Sequence, residues 1–196
     1  MIRTRRVTRE RRLAFPDPVA DTSTVDKRAV HEGMERTRKS FHELLDAASR
    51  SDLRRTSAGT RWNNRQLLFH MLLGYLIIRA LLRLVRIFGR LPDGASREYA
   101  RLLNAGTRPF DVVNFAGSWL GGTLMPRSWM VTLFDRTIAA LHRRLDGESD
   151  IDLARGMHYP TRWDPFFQDY MTLADVYRFP ARHFDFHHGQ LTMPLD

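Results

Sequence analysis

Apolar residues recur at helical spacing along four separate stretches of the chain, and charged residues fill the opposite face of each. This pattern is typical of helices that pack one side against a common core. The sequence therefore predicts an all-α protein built on four main helices, with polar or irregular connections between them. The predicted helices cover about residues 24–48, 63–88, 126–146 and 172–191.

Two of these helices begin with a capping box. Asn63 is a good N-cap residue and Gln66 follows three positions later, and Thr172 and Asp175 have the same spacing. In each pair the two side chains can satisfy backbone N–H groups that the first helical turn leaves free. Pro180 lies inside the fourth helix and should bend it, because proline removes one backbone hydrogen bond.

The connection between the second and third helices is long, covering residues 90–125. Its part 110–122 is apolar and rich in small residues, which predicts a short helix packed closely through Gly117 and Gly121. Three residues of this segment are candidates for lining a pocket, with core packing as the favoured alternative: Asn114, Ser118 and Trp119.

The second helix is apolar enough to raise the question of a membrane span. His70 and several arginines interrupt it, and no apolar run approaches the roughly 20 residues that a span requires. We therefore predict a buried helix and no transmembrane segment. His70 shares a face with the apolar residues, so it must be neutral and hydrogen-bonded, or bound to something. The opposite face carries an arginine stripe, expected to be solvated, with a membrane-surface role as the alternative: Arg79, Arg83, Arg86 and Arg90.

The 196 residues suffice for one sizeable domain, and the formal charge is +9. Residues 1–20 contain six arginines against Glu10 and Asp17 and close with two prolines. We interpret them as a disordered basic tail that precedes a bundle over residues 21–196. The chain has no cysteine, which excludes disulfides, thiolate ligands and a thiol nucleophile of its own.

Histidines form the candidate chemical site. His183 and His187 are four residues apart, so both lie on one face of the last helix, at the spacing that lets two imidazoles hold one metal ion. His70 is directed inward from the second helix. Taken alone, these histidines favour ordinary surface or hydrogen-bonded core residues over metal ligands. The sequence suggests no partner for the remaining five histidines, which we expect on the surface or in loops: His31, His42, His142, His158 and His188. Of these, His158 could lie near a pocket.

Two segments resemble motifs of the DinB superfamily. The stretch from Trp62 to His70 is similar to the segment in which that family places a tryptophan, a helix N-cap and a histidine eight residues after the tryptophan. The stretch 183–191, His-Phe-Asp-Phe-His-His-Gly-Gln-Leu, resembles the closing His-x-x-x-His-x-Gly-Gln motif. The resemblance covers roughly residues 24–191 and implies an up-down-down-up four-helix bundle.

The resemblance also implies that His70, His183 and His187 are three ligands of a divalent transition metal, with zinc or nickel favoured and Gln190 as a supporting residue. Three neutral imidazoles leave a coordination position open, as catalytic sites do. Some members of the family are metal-dependent thiol transferases or isomerases. We therefore expect a thiol S-transferase or a hydrolase that acts on a small molecule. The excess of arginine over lysine suggests an actinobacterial source and mycothiol as the first thiol to test.

Two further hypotheses stay open at this point. The first is a non-catalytic binding protein that uses the basic tail and the arginine stripe on nucleic acid or anionic membrane, although no specific nucleic-acid motif is present. The second is a bundle whose histidines are purely structural. We expect a cytoplasmic protein, and a homodimer is left open.

Overall fold

Residues 26–193 are described by a computed structural model of the chain, and within them eight helices and one β-hairpin are present. The helices are α1 (Lys27–Ala47), α2 (Arg50–Arg54), α3 (Asn64–Phe88), α4 (Asp93–Ala105), α5 (Thr107–Leu124), α6 (Arg127–Asp146), α7 (Asp150–Ala154) and α8 (Leu173–His188). The strands are β1 (Gly156–His158) and β2 (Tyr170–Thr172).

Helices α1, α3, α6 and α8 form an up-down-down-up four-helix bundle, which confirms the predicted fold class. Both α3 and α1 pack against α6 and against α8, so α3 and α1 lie on a diagonal of the bundle. The core between them is apolar and closely packed. Its largest fully buried side chains include Phe41, Tyr75, Phe134, Tyr177 and Phe184.

The predicted capping boxes of α3 and α8 are both present. Asn63 accepts from the Gln66 backbone N–H while Gln66 accepts from Asn63, and Thr172 and Asp175 form the same reciprocal pair. The first helix begins later than expected, at Lys27, with Asp26 as its N-cap. The basic tail over residues 1–20 lies outside the described residues.

The crossover after α3 is more regular than the sequence indicated, because it contains two helices, α4 and α5, instead of one short helix. Close packing of α5 on α3 depends on Gly121 and Gly122. A Cβ at Gly121 would lie 2.2 Å from the Phe69 ring, and one at Gly122 would lie 2.5 Å from the Cα of Gln66. Gly117 is less constrained than predicted, since its Cβ would meet nothing closer than 3.9 Å.

The connection between α6 and α8 carries the antiparallel hairpin, in which Gly156 pairs with Thr172 and His158 with Tyr170. The loop between the two strands crosses towards α5, where the Trp163 ring stacks on Phe110 at a centroid distance of 3.9 Å. The Trp163 indole N–H also donates to the Leu103 carbonyl, at 2.8 Å. These contacts fix the loop over the side of the bundle that holds the histidines.

The arginine stripe is exposed at Arg79, Arg83 and Arg90, as expected, and Arg86 is its half-buried member. Arg86 forms an ion pair with Glu148, whose side chain is only 1% exposed, and Arg90 lies 3.6 Å from Asp152. Helix α3 is long and apolar enough to cross a membrane by length and composition alone. It nevertheless packs against α5, α6 and α8, and 56% of its most apolar window is buried. We therefore interpret α3 as a core helix of the bundle.

Candidate metal centre

Three histidines predicted as ligands converge at one point between α3 and α8. Each of His70, His183 and His187 offers one ring nitrogen, and these atoms lie within 4.8 Å of one another. The ring centroids are 4.5 to 5.0 Å apart. Residues 183 and 187 stand one helical turn apart on α8, and His70 faces them from the neighbouring α3, so the convergence follows from the packing of two helices.

Hydrogen bonds orient two of the three rings. His187 Nδ1 lies 2.7 Å from Oε1 of Gln190, an amide oxygen that can only accept, so Nδ1 carries the proton and Nε2 carries the free lone pair. His70 Nδ1 lies 3.0 Å from the hydroxyl of Ser118 on α5. Both rings therefore have Nε2 available for a ligand. Such outer hydrogen bonds are usual for metal-binding histidines.

His183 has a different environment, because its Nδ1 is buried and has no hydrogen-bonding partner among residues 26–193. The ring lies against Gly74 of α3, where a Cβ would come within 2.9 Å of that nitrogen. Glycine at this position thus leaves room for the imidazole. The Nε2 of His183 lies 3.7 Å from Oδ2 of Asp164, a carboxylate in the loop between β1 and β2.

Burial keeps all three histidines neutral. Burial, together with a smaller effect of the neighbouring His187, lowers the pKa of His70 to about 3. Burial, then His70 and His187, hold the pKa of His183 well below its ordinary value. The pKa of His187 is also lowered by burial, while the hydrogen bond to Gln190 opposes that shift. Neutral imidazole is the form that binds a metal ion.

Asp164 is the functional candidate that the sequence did not suggest. Its side chain is 15% exposed, and Oδ1 accepts the Phe166 backbone N–H at 2.8 Å. Burial raises the pKa of its carboxyl to about 6, an effect that the Phe166 hydrogen bond partly offsets. A lone aspartate between Trp163 and Pro165 carries no motif, so only its position in the fold could reveal it.

A cavity of about 250 Å³ adjoins the histidines. Apolar and aromatic side chains dominate its lining, and they come from α3, α4, α5, α8 and the loop over residues 159–167. Asn114 lines the cavity, which is one of the two alternatives predicted for that residue. Trp119 is half exposed and does not line the cavity. The apolar members of the His70 face of α3 belong to the lining: Ile77, Leu81 and Leu84.

Trp62 has a direct structural role beside the histidines. Its ring stacks on His70 at a centroid distance of 4.5 Å and on Phe115 at 5.8 Å. The Arg61 guanidinium lies 4.3 Å above the outer face of Phe115. Trp62 therefore packs against the face of the His70 imidazole and restricts the position of that ring.

The other histidines lie away from this centre, and each has neighbours that the sequence did not indicate. His31 and His142 stack on each other and contact Asp146 and Glu35 respectively, and His42 lies 2.8 Å from Asp135. His158 is buried in β1 beside Asp169 and does not line the cavity, although both its chain neighbours do. His188 stacks on Phe184, so its exclusion from the ligand set is consistent with the geometry.

The residues present fit a divalent transition metal. The nitrogens of a tetrahedral site are about 3.4 Å apart when metal–nitrogen bonds are near 2.1 Å, so small ring rotations would bring the three imidazoles into position. The unpartnered, buried His183 also indicates a place prepared for a ligand. Three nitrogen donors with an adjacent cavity leave room for a further ligand.

Comparison with known proteins agrees with the residues and the fold. The family model of the DinB superfamily matches residues 34–191, which include all three histidines, Trp62 and Gln190. Neither the curated proteins nor the solved structures gave a match. Because the matched segment covers most of the chain and the whole bundle apart from the start of α1, this protein belongs to the DinB superfamily.

Proposed function

We propose that the protein is a metal-dependent enzyme that uses His70, His183 and His187 to bind one divalent transition metal. The observation that carries the proposal is the convergence of three buried, neutral imidazoles at the edge of an apolar cavity. Zinc or nickel suits the all-nitrogen donor set. A purely structural trio is less favourable, because among the described residues no hydrogen bond joins the three imidazoles although their nitrogens lie within 4.8 Å of one another.

When bound, such a metal would supply Lewis acidity and lower the pKa of a water or thiol ligand. The chain itself provides orientation and proton transfer. Gln190 and Ser118 fix the rings of His187 and His70. Oδ2 of Asp164 is the carboxylate oxygen positioned to accept a proton from a nucleophile that enters beside His183.

The reaction class that follows is attack of an activated water or thiol on a small electrophile held in the cavity. This makes the protein a hydrolase or a thiol S-transferase. A thiol must come from a cosubstrate, since the chain has no cysteine, and mycothiol is the first to test. A cytoplasmic location would supply such a thiol.

Metal content of the untagged protein, purified without chelator, tests the proposal. We expect about one equivalent of a transition metal in the parent protein and loss of that metal in His70→Ala and His183→Ala. His42→Ala is the matched control, because His42 lies outside the cluster and pairs with Asp135. Absence of metal from the parent after reconstitution, or full retention in His183→Ala, would refute the assignment.

A further inference from the structure

The cavity beside the three histidines is elongated. Its lining on α3 runs from His70 through Gly74, Ile77 and Leu81 to Leu84. The fourteen steps from residue 70 to residue 84 correspond to about 21 Å along the helix axis, at 1.5 Å per residue. The three histidines occupy one end of this length, and only aliphatic and aromatic side chains of α3 line the rest.

The end of the cavity remote from the histidines is closed. Tyr99 of α4 lines the cavity there and stacks on Phe88 at 4.9 Å, one helical turn beyond Leu84. Met157 and Tyr159 cover the same end from β1 and the residue that follows it, and both are almost fully buried. The end is therefore blind.

The lining residues exposed to solvent lie at the histidine end instead. Phe186, next to His187, is 47% exposed, and Pro165 follows Asp164 directly. A ligand that enters here would insert its apolar part first and leave its polar group beside the histidines. The metal-binding and acidic groups of the lining lie at this end, in the imidazoles and Asp164, whereas the far end carries the uncharged hydroxyls of Tyr99 and Tyr159.

Charge limits what the blind end can hold. No lysine or arginine is among the described residues that line the cavity. A charged group inserted towards Leu84 would lose its hydration without gaining an ionic partner, which is strongly unfavourable.

We infer that the cavity selects a substrate with one polar reactive group and a slender, uncharged apolar chain, and that Leu84 and Tyr99 at the blind end set the chain length. This inference rests on the proposed function for the position of the polar group. The length selection itself depends only on the cavity.

Straight-chain hydroxamates provide the test, since their head group binds metals and their chain can be lengthened. Calorimetric affinities for the metal-loaded protein should rise roughly threefold to fourfold per added methylene from acetohydroxamate towards octanohydroxamate. The analogue of octanohydroxamate that ends in a carboxylate should bind at least about tenfold more weakly than octanohydroxamate. Equal affinity for short and long chains, or for charged and uncharged chain ends, would overturn the inference.

Leu84→Trp makes the test specific to the blind end. It should lower the affinity for dodecanohydroxamate, whose longer chain extends towards Leu84, at least about tenfold and leave the metal content and the affinity for acetohydroxamate unchanged. Leu120→Trp, on the exposed side of α5, is the matched control and should alter none of these. An unchanged chain-length profile in Leu84→Trp would refute the role of this residue.

Linear alcohols separate this inference from the metal assignment, because they carry no strong metal-binding group. Hexanol and octanol should bind the metal-free protein with the same dependence on length. If the hydroxamates fail and the alcohols bind, the metal site is wrong and the cavity inference stands. If the alcohols show no length dependence on either form, the cavity inference is wrong whatever the metal content.

Discussion

Gln190→Leu tests the outer hydrogen bond of the proposed metal site. Oε1 of Gln190 accepts from His187 Nδ1 at 2.7 Å and thereby leaves Nε2 free to bind the proposed metal. Leucine keeps the size of the side chain but removes the acceptor. The backbone contacts at this position should persist, because Gln190 N–H donates to the His187 carbonyl and the Gln190 carbonyl accepts from Ala58 N–H.

Loss of such an outer hydrogen bond typically weakens metal affinity by about 10- to 100-fold, or ~1.4 to 2.7 kcal/mol of binding free energy. We expect Gln190→Leu to fall in that range when zinc affinity is measured by competition with a chromogenic chelator. The far-ultraviolet circular dichroism of the metal-free protein should stay unchanged.

Two comparison variants isolate the cause. Gln190→Glu keeps an acceptor oxygen at the same place and should retain affinity close to that of the parent. Gln168→Leu removes an exposed glutamine from the loop between β1 and β2 and should have no effect. Parent-like affinity in Gln190→Leu, or an equal loss in Gln190→Glu, would refute the reasoning.

Three further predictions concern stability. Because burial lowers the folded-state pKa of His70 to about 3, below the unfolded value of about 6.5, the unfolded chain takes up a proton first as pH falls. In urea unfolding of the metal-free protein, the contribution of His70 to the free energy of unfolding should therefore be intact above pH ~6.5. At pH ~5 the loss of this contribution alone should lower the free energy of unfolding by about 2 kcal/mol. Gly122→Ala should lower the unfolding free energy by about 1 to 3 kcal/mol, because its Cβ would overlap the α3 backbone. Glu148→Ala should cost roughly 1 to 3 kcal/mol, since it leaves Arg86 without its buried partner, and the partial exposure of Arg86 keeps the loss below that of a fully buried pair.

Each of these stability predictions has its own check. His70→Asn should flatten the pH dependence, and an unaltered slope would show that other groups cause it. Gly94→Ala should be neutral or stabilising, because nothing lies within 4 Å of its Cβ position. Equal unfolding midpoints for Gly122→Ala and Gly94→Ala would contradict the close helix contact. In chemical denaturation, Arg86→Ala should show part of the decrease in unfolding free energy expected for Glu148→Ala. If both variants are as stable as the parent, the ion pair contributes nothing to stability.

The sequence by itself predicted the four bundle helices and the faces of those helices on which the three histidines lie. Capping boxes at Asn63 and Thr172 and the spacing of His183 and His187 are local signals, set by residues three or four positions apart. Helical phase predicted that His70 faces the core, and the resemblance to the DinB superfamily predicted that it shares a site with His183 and His187. Local periodicity and motif spacing do not depend on which helices pack against each other, so they can be recognised from the sequence alone.

Tertiary structure alone decided which groups surround those histidines. Ser118 is 48 positions from His70, and Asp164 is a lone carboxylate in a loop, so neither contact leaves a local signal. Glu148 turned Arg86 from an expected solvent-facing residue into half of an ion pair. The blind, apolar cavity exists only because α4, α5 and the loop after β1 close over the His70 face of α3. Contacts between distant segments depend on how the helices pack, and the pattern along the chain does not contain that information.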